Sequence, residues 1–210
     1  MPQNQEFMNR RLHSLLGVIP VGAFLLQHLF VNHFAAYGAS SFNAAADFMA
    51  SLPFRYALEV FVIFLPLLYH AIYGIYITFT GKNNTRRYGF FRNVMFLLQR
   101  ISGIFLLIFI SWHVWETRIQ EALGREEVNY DMMADILSHP FMLVFYIAGV
   151  LAATFHFSNG LWSFAVTWGL TVSPRSQQIM TYVSIGVFLV LSFMGVRAIL
   201  AFIDPGLAQM

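Results

Sequence analysis

Cysteine is absent from the 210 residues and charge is scarce: Asp, Glu, Lys and Arg make up 10% of the chain, against 58% hydrophobic residues. Without cysteine there is no thiolate-bound iron-sulfur cluster, no CxxCH haem attachment and no disulfide framework. No glycine-rich nucleotide loop occurs, which removes a Rossmann-type flavin or nicotinamide site. Internal repeats, low-complexity tracts and nucleic-acid motifs are also missing, so no nucleic acid partner is expected. Any redox chemistry must use cofactors held without a covalent bond. So little charge cannot cover a soluble surface, and the composition places the chain in a bilayer as a polytopic membrane protein.

What is present is long apolar sequence. Five runs, at about 14 to 36, 57 to 80, 94 to 117, 140 to 168 and 179 to 203, reach the roughly 20 residues that a helix needs to cross a bilayer. They are continuously apolar rather than alternating, which predicts helices and not barrel strands. The expected fold is all-α, a single five-helix transmembrane domain over 1–210. The opening MPQNQEFMNRRLHS is polar and lacks an A-x-A-like cleavage signal, so the first run reads as a retained span. Connections 37 to 56 and 118 to 139 have room for short surface helices, and Ser173-Pro174 suits the N-cap and first turn of the fifth span.

Charge then orients the bundle. Arg10, Arg11, Lys82, Arg86, Arg87, Arg92 and Arg175 fall at one end, while Arg55, Arg118 and Arg125 fall at the other. By the positive-inside rule the N-terminus is cytoplasmic and the C-terminus outside. Asp47, Glu59, Glu116, Glu121, Glu126, Glu127, Asp131, Asp135 and Asp204 then lie on the outer half. The basic loops suit anchoring beside anionic lipid in a bacterial cell membrane.

Against this apolar background four runs each carry one histidine: His28, His70, His113 and His156. Ionisable groups at membrane depth are rare and mark function. Counted inward from the outer flanks at 1.5 Å per residue, His28 and His113 lie ~8 to 14 Å deep, and His70 and His156 ~22 to 26 Å deep. They sort into two pairs matched in depth. Two neutral imidazoles facing each other across a bundle are what a six-coordinate haem b requires, and two such haems would carry electrons across the membrane. His13 lies fifteen residues before His28 but sits at the inner boundary beside Arg11, and is set aside. A lone membrane histidine equally satisfies a neighbouring helix by hydrogen bonding. Four histidines on four spans favour haem.

The runs RRLHSLLGVIPVGAFLLQH, SLPFRYALEVFVIFLPLLYHAIYG, LLQRISG, SWHVWETR and FHFSNGLWSFAVTWG resemble the two-haem cytochrome b membrane-anchor subunit of succinate dehydrogenase found in menaquinone-using Gram-positive bacteria. The resemblance spans nearly the whole chain. It implies five helices, two protohaem IX groups, and flavoprotein and iron-sulfur subunits docked on the cytoplasmic face. It also implies His70 with His156 on an inner haem and His28 with His113 on an outer one. As such a subunit the chain would be part of an oxidoreductase, carrying electron transfer and quinone reduction and no succinate chemistry.

Helical phase extends the reading, since eleven residues make three turns and return to one face. Ser102 shares the face of His113 and Gly17 that of His28, so both should line the inner haem, with Gly17 permitting close approach. Ser14, Gln99 and Arg100 stand near the inner end as candidate propionate partners, Arg100 alternatively snorkelling to the headgroups. Pro66, four residues before His70, should bend its helix. Gly149 and Ser163 share the His156 face but suit helix packing better. The same eleven-residue step outward from His70 reaches Glu59, the first candidate for a quinone site because a quinone taking two electrons also takes protons. Asp47 and Glu116 are weaker candidates. A reading from another class is a proton or ion carrier that uses histidines and carboxylates as a relay, and a third is a purely structural anchor.

Overall fold

The computed structural model describes residues 3–82, 85–204 and 206, and these contain helices, turns and loops with no strand. The helices are α1 (Gln3–Val18), α2 (Pro20–His33), α3 (Ala39–Ala50), α4 (Arg55–Leu58), α5 (Leu65–Thr80), α6 (Phe91–Val114), α7 (Gln120–Ala122), α8 (Tyr130–Ser138), α9 (Pro140–Thr167) and α10 (Pro174–Ile203). Among the described residues five helical stretches are long and apolar enough to cross a membrane: Asn4–Tyr37, Arg55–Thr80, Phe91–Ala122, Pro140–Thr167 and Pro174–Ile203. The all-α, five-span expectation holds. The two ends of the bundle carry opposite charge and are called here the basic end (start of α1, α6 and α10) and the acidic end (start of α4 and α9, α7 and α8).

The first span departs most from expectation. Its polar opening is helical from Gln3, not a tail, and the span breaks at Ile19 where Pro20 cannot donate to the preceding turn. The second and third spans each contain a widened π-type turn near the acidic end, at Glu59–Phe64 and Trp115–Ile119. Pro66 follows the first of these in the opening turn of α5, so the misfit of its ring is taken up just before it. This insertion also cancels the three-turn arithmetic that linked Glu59 to His70, because a π turn holds more residues than an α turn.

Both predicted surface helices exist, as α3 and α8, and they cap the acidic end. Phe42 of α3 packs edge-on against Phe202 of α10 with ring centres 4.9 Å apart, and the Tyr130 hydroxyl donates to the carbonyl of Ala201. Asn129 caps α8 by accepting from the Met132 N–H at 2.9 Å, and Ser173 and Ser176 form a capping box on α10, as the Ser-Pro signal predicted. Large apolar side chains such as Phe61, Phe79 and Phe193 point outward, which a lipid surround makes favourable.

Candidate functional site

The four span histidines meet two by two. His28 of α2 and His113 of α6 have ring centres 5.8 Å apart with planes at 74°, and His70 of α5 and His156 of α9 stand 6.1 Å apart at 82°. Two imidazole nitrogens each ~2 Å from one iron put the ring centres roughly 6 Å apart, so both separations suit axial ligation from opposite sides. Among the described residues no three His, Asp or Glu side chains gather in a metal-holding group. A metal chelated by protein alone would lack donors here. An iron already ringed by a porphyrin needs only the two imidazoles.

Hydrogen bonds at Nδ1 leave Nε2 free to act as a ligand on three of the four rings. His70 Nδ1 lies 3.0 Å from the carbonyl of His13, and His156 Nδ1 lies 3.1 Å from Ser102 Oγ. His113 Nδ1 lies 3.2 Å from the Tyr146 hydroxyl. His28 differs: its Nε2 has a long 3.4 Å contact with the Asn32 amide, which also donates to the His28 carbonyl at 2.9 Å.

Glycines make room for these rings. A Cβ on Gly17 would lie 2.4 Å from His70 Cε1, and one on Gly103 would lie 3.1 Å from His156 Cε1. Gly17 therefore does permit a close approach, and what approaches is the imidazole of the neighbouring span. Gly149 receives the Phe109 ring in the same way, 2.3 Å from a built Cβ, which supports its packing role.

The remaining expected lining residues gather at the basic end with different partners. Ser102 is buried against His156, as its helical phase required, and Gln99 donates to the His156 carbonyl at 3.0 Å while accepting from Asn159 at 2.8 Å. Arg100 reaches to the end of α5: its Nη1 donates to the Gly81 carbonyl at 3.0 Å, its guanidinium lies over Phe96, and its Nε and Nη2 are buried without a partner. A Cβ on Gly81 would fall 1.5 Å from Nη2, so the α5 terminus is shaped around this cation. Ser14 is half-buried on α1.

At the acidic end the three quinone-site candidates have unlike surroundings. Both carboxylate oxygens of Glu59 are taken, one by Arg55 at 2.8 Å and the other by Arg118 at 2.7 Å, and Glu121 closes a ring of four charges by binding both arginines. Glu116 accepts from the Tyr146 hydroxyl at 3.0 Å and from Trp112 Nε1 at 3.1 Å, and it also lines an open cleft of about 580 Å³. Asp47 is exposed near the end of α3.

Two site residues escaped the sequence reading. His13 joins the basic-end pair: its ring stacks on His70 with centres 4.0 Å apart and its Nδ1 is buried without a partner. Tyr146 is buried beside His113. Its place seven residues inside His139, close to the depth counted for His113, was the signal available for it.

Comparison with known proteins bears on what such a bundle belongs to. The family described as succinate dehydrogenase/fumarate reductase transmembrane subunit matches residues 82–195, a stretch that includes His113 and His156. The succinate dehydrogenase cytochrome b558 subunit of Bacillus subtilis (strain 168) is 67% identical over 203 residues, covering 97% of this chain and 100% of that protein. With more than half its length in the family match and a relative this similar end to end, the chain belongs to the succinate dehydrogenase/fumarate reductase transmembrane subunits.

Proposed function

We propose that this chain is the cytochrome b membrane anchor of a succinate dehydrogenase, passing electrons from a cytoplasmic iron-sulfur subunit through two b haems to menaquinone. The observation that carries this reading is the pair of imidazole couples, 5.8 and 6.1 Å between ring centres, stacked at two levels of one bundle. The similarity to the cytochrome b558 subunit supports it. Protohaem supplies one-electron carriage at each level. The chain supplies the groups that would fix it there: His70 and His156 at the basic end, His28 and His113 at the acidic end, and Nδ1 acceptors that leave Nε2 free on His70, His156 and His113.

The unpartnered Nε and Nη2 of Arg100, buried at the basic end, are donors suited to a propionate, and Ser14 of α1 is a second candidate donor. By the positive-inside rule the basic end is cytoplasmic and takes the flavoprotein and iron-sulfur subunits, and the C-terminus is outside. Menaquinone then meets the acidic end. With its oxygens occupied, Glu59 serves there as the counter-ion that holds the Arg55 and Arg118 side chains beside the quinone, and Asp47 is the acid exposed to water.

Anaerobic reduction by succinate tests the function. Added to the intact complex, succinate is expected to reduce haem bound to this chain within the enzyme's turnover time; added to the chain stripped of its partner subunits, it should reduce none. Haem in the intact complex that stays oxidised under succinate, yet is reduced by dithionite, would contradict the electron path.

A further inference from the structure

The Nδ1 hydrogen bonds behind three of the four histidines end on different kinds of group. His70 Nδ1 meets a backbone carbonyl. His156 Nδ1 meets Ser102 Oγ, whose hydroxyl donates at 3.0 Å to the carbonyl of Gln99, so this chain also ends on a neutral oxygen. His113 is the exception. The Tyr146 hydroxyl has one proton, and the carboxylate of Glu116, an acceptor, lies 3.0 Å away. That proton goes to Glu116, which leaves the phenolic oxygen free to accept from His113 Nδ1–H at 3.2 Å.

The order is therefore His113 to Tyr146 to Glu116, each donating to the next. None of the ion pairs among the described residues includes Glu116. The cleft it lines also holds Glu126, Glu127, Asp131 and Asp135 against the single cation Arg125. Among the described residues no cation is bonded to it to cancel what it passes inward.

We propose that Tyr146 is a positioning residue that couples the Glu116 carboxylate to His113 and thereby sets the reduction potential at the acidic-end site. The proposal rests on the haem reading above. An imidazole whose N–H is drawn toward an anion is a stronger donor to its metal, and a stronger donor favours the oxidised iron over the reduced one. The polarised chain strengthens each of its hydrogen bonds in turn. Among the described residues no such anion stands behind either basic-end ring, so the effect is confined to one level of the bundle.

The test is anaerobic redox titration of the purified intact complex, wild type against Tyr146→Phe and Glu116→Gln. The acidic-end component is identified as the one missing from a His28→Leu complex. Wild-type complex lacking two titrating low-spin components would fail the haem reading itself, before any variant is compared. Given two components, both variants are expected to raise the midpoint of the acidic-end component so that its reduced-to-oxidised ratio at fixed potential grows about tenfold, about 59 mV for one electron, with the other component unmoved.

A merely structural role for Tyr146 would not produce the same shift in Glu116→Gln, which keeps the carboxylate's size and leaves Tyr146 in place. No shift in either variant overturns the proposal. So does a shift in Glu116→Gln alone while Tyr146→Phe retains its haem unshifted, since that is charge acting through space. Equal shifts in both components overturn it too. Should Tyr146→Phe lose the acidic-end haem, Glu116→Gln decides in high salt: a raised midpoint that persists there supports the coupling, while a shift that salt abolishes, or no shift, refutes it.

Discussion

Replacing His70 or His156 is expected to abolish one low-spin haem component nearly completely and leave the other in place, while replacing His28 or His113 does the reverse. The pairing follows from contact, since each ring stands about 6 Å from one partner across the bundle. A six-coordinate site that loses an axial nitrogen either empties or turns high spin. The two levels lie on opposite sides of the Pro20 break, so loss at one need not propagate to the other. Optical and magnetic spectra of the four single variants read this directly. A His28 variant that lost the same component as a His70 variant would break the assignment.

Gly17→Val should reproduce the His70 phenotype without touching a histidine. Its side chain would begin 2.4 Å from His70 Cε1 and 2.6 Å from Nδ1, distances at which something must move. The ring cannot retreat freely, because the His13 carbonyl holds Nδ1 and the His13 ring is stacked on its face. Gly186 of α10 is the control, as a Cβ there meets nothing within 4 Å. Near-total loss of the basic-end component is expected in Gly17→Val, with both components kept in Gly186→Val. Spectra of Gly17→Val indistinguishable from wild type would show that the ring is not confined as described.

The sequence made the spans and the ring pairs legible for a simple reason: hydropathy fixes depth, and depth sorts histidines by level. Ser102 was found by phase because α6 is a regular α-helix over the relevant turns. The same method missed the widened turn between Glu59 and His70, because nothing in EVFVIF announces a π-type turn; the widening coincides with an ion pair from Glu59 across to Arg118 on the next span. His13 was set aside on account of its neighbour Arg11. In the bundle that arginine lies over the faces of Phe7 and Trp168, each 4.8 Å from its guanidinium carbon, while the His13 ring turns onto His70. Tyr146 reads in sequence as one more aromatic in an apolar run, and only its contact with His113 and Glu116 gives it a role.

The central claim is that two protohaems are held between these paired rings, and a pyridine haemochrome assay on the purified chain, set against its molar concentration, tests it most directly. The account predicts two protohaems per chain, falling to one when either member of a pair is replaced. A wild-type value of one or none, in protein that is folded and helical, would contradict it.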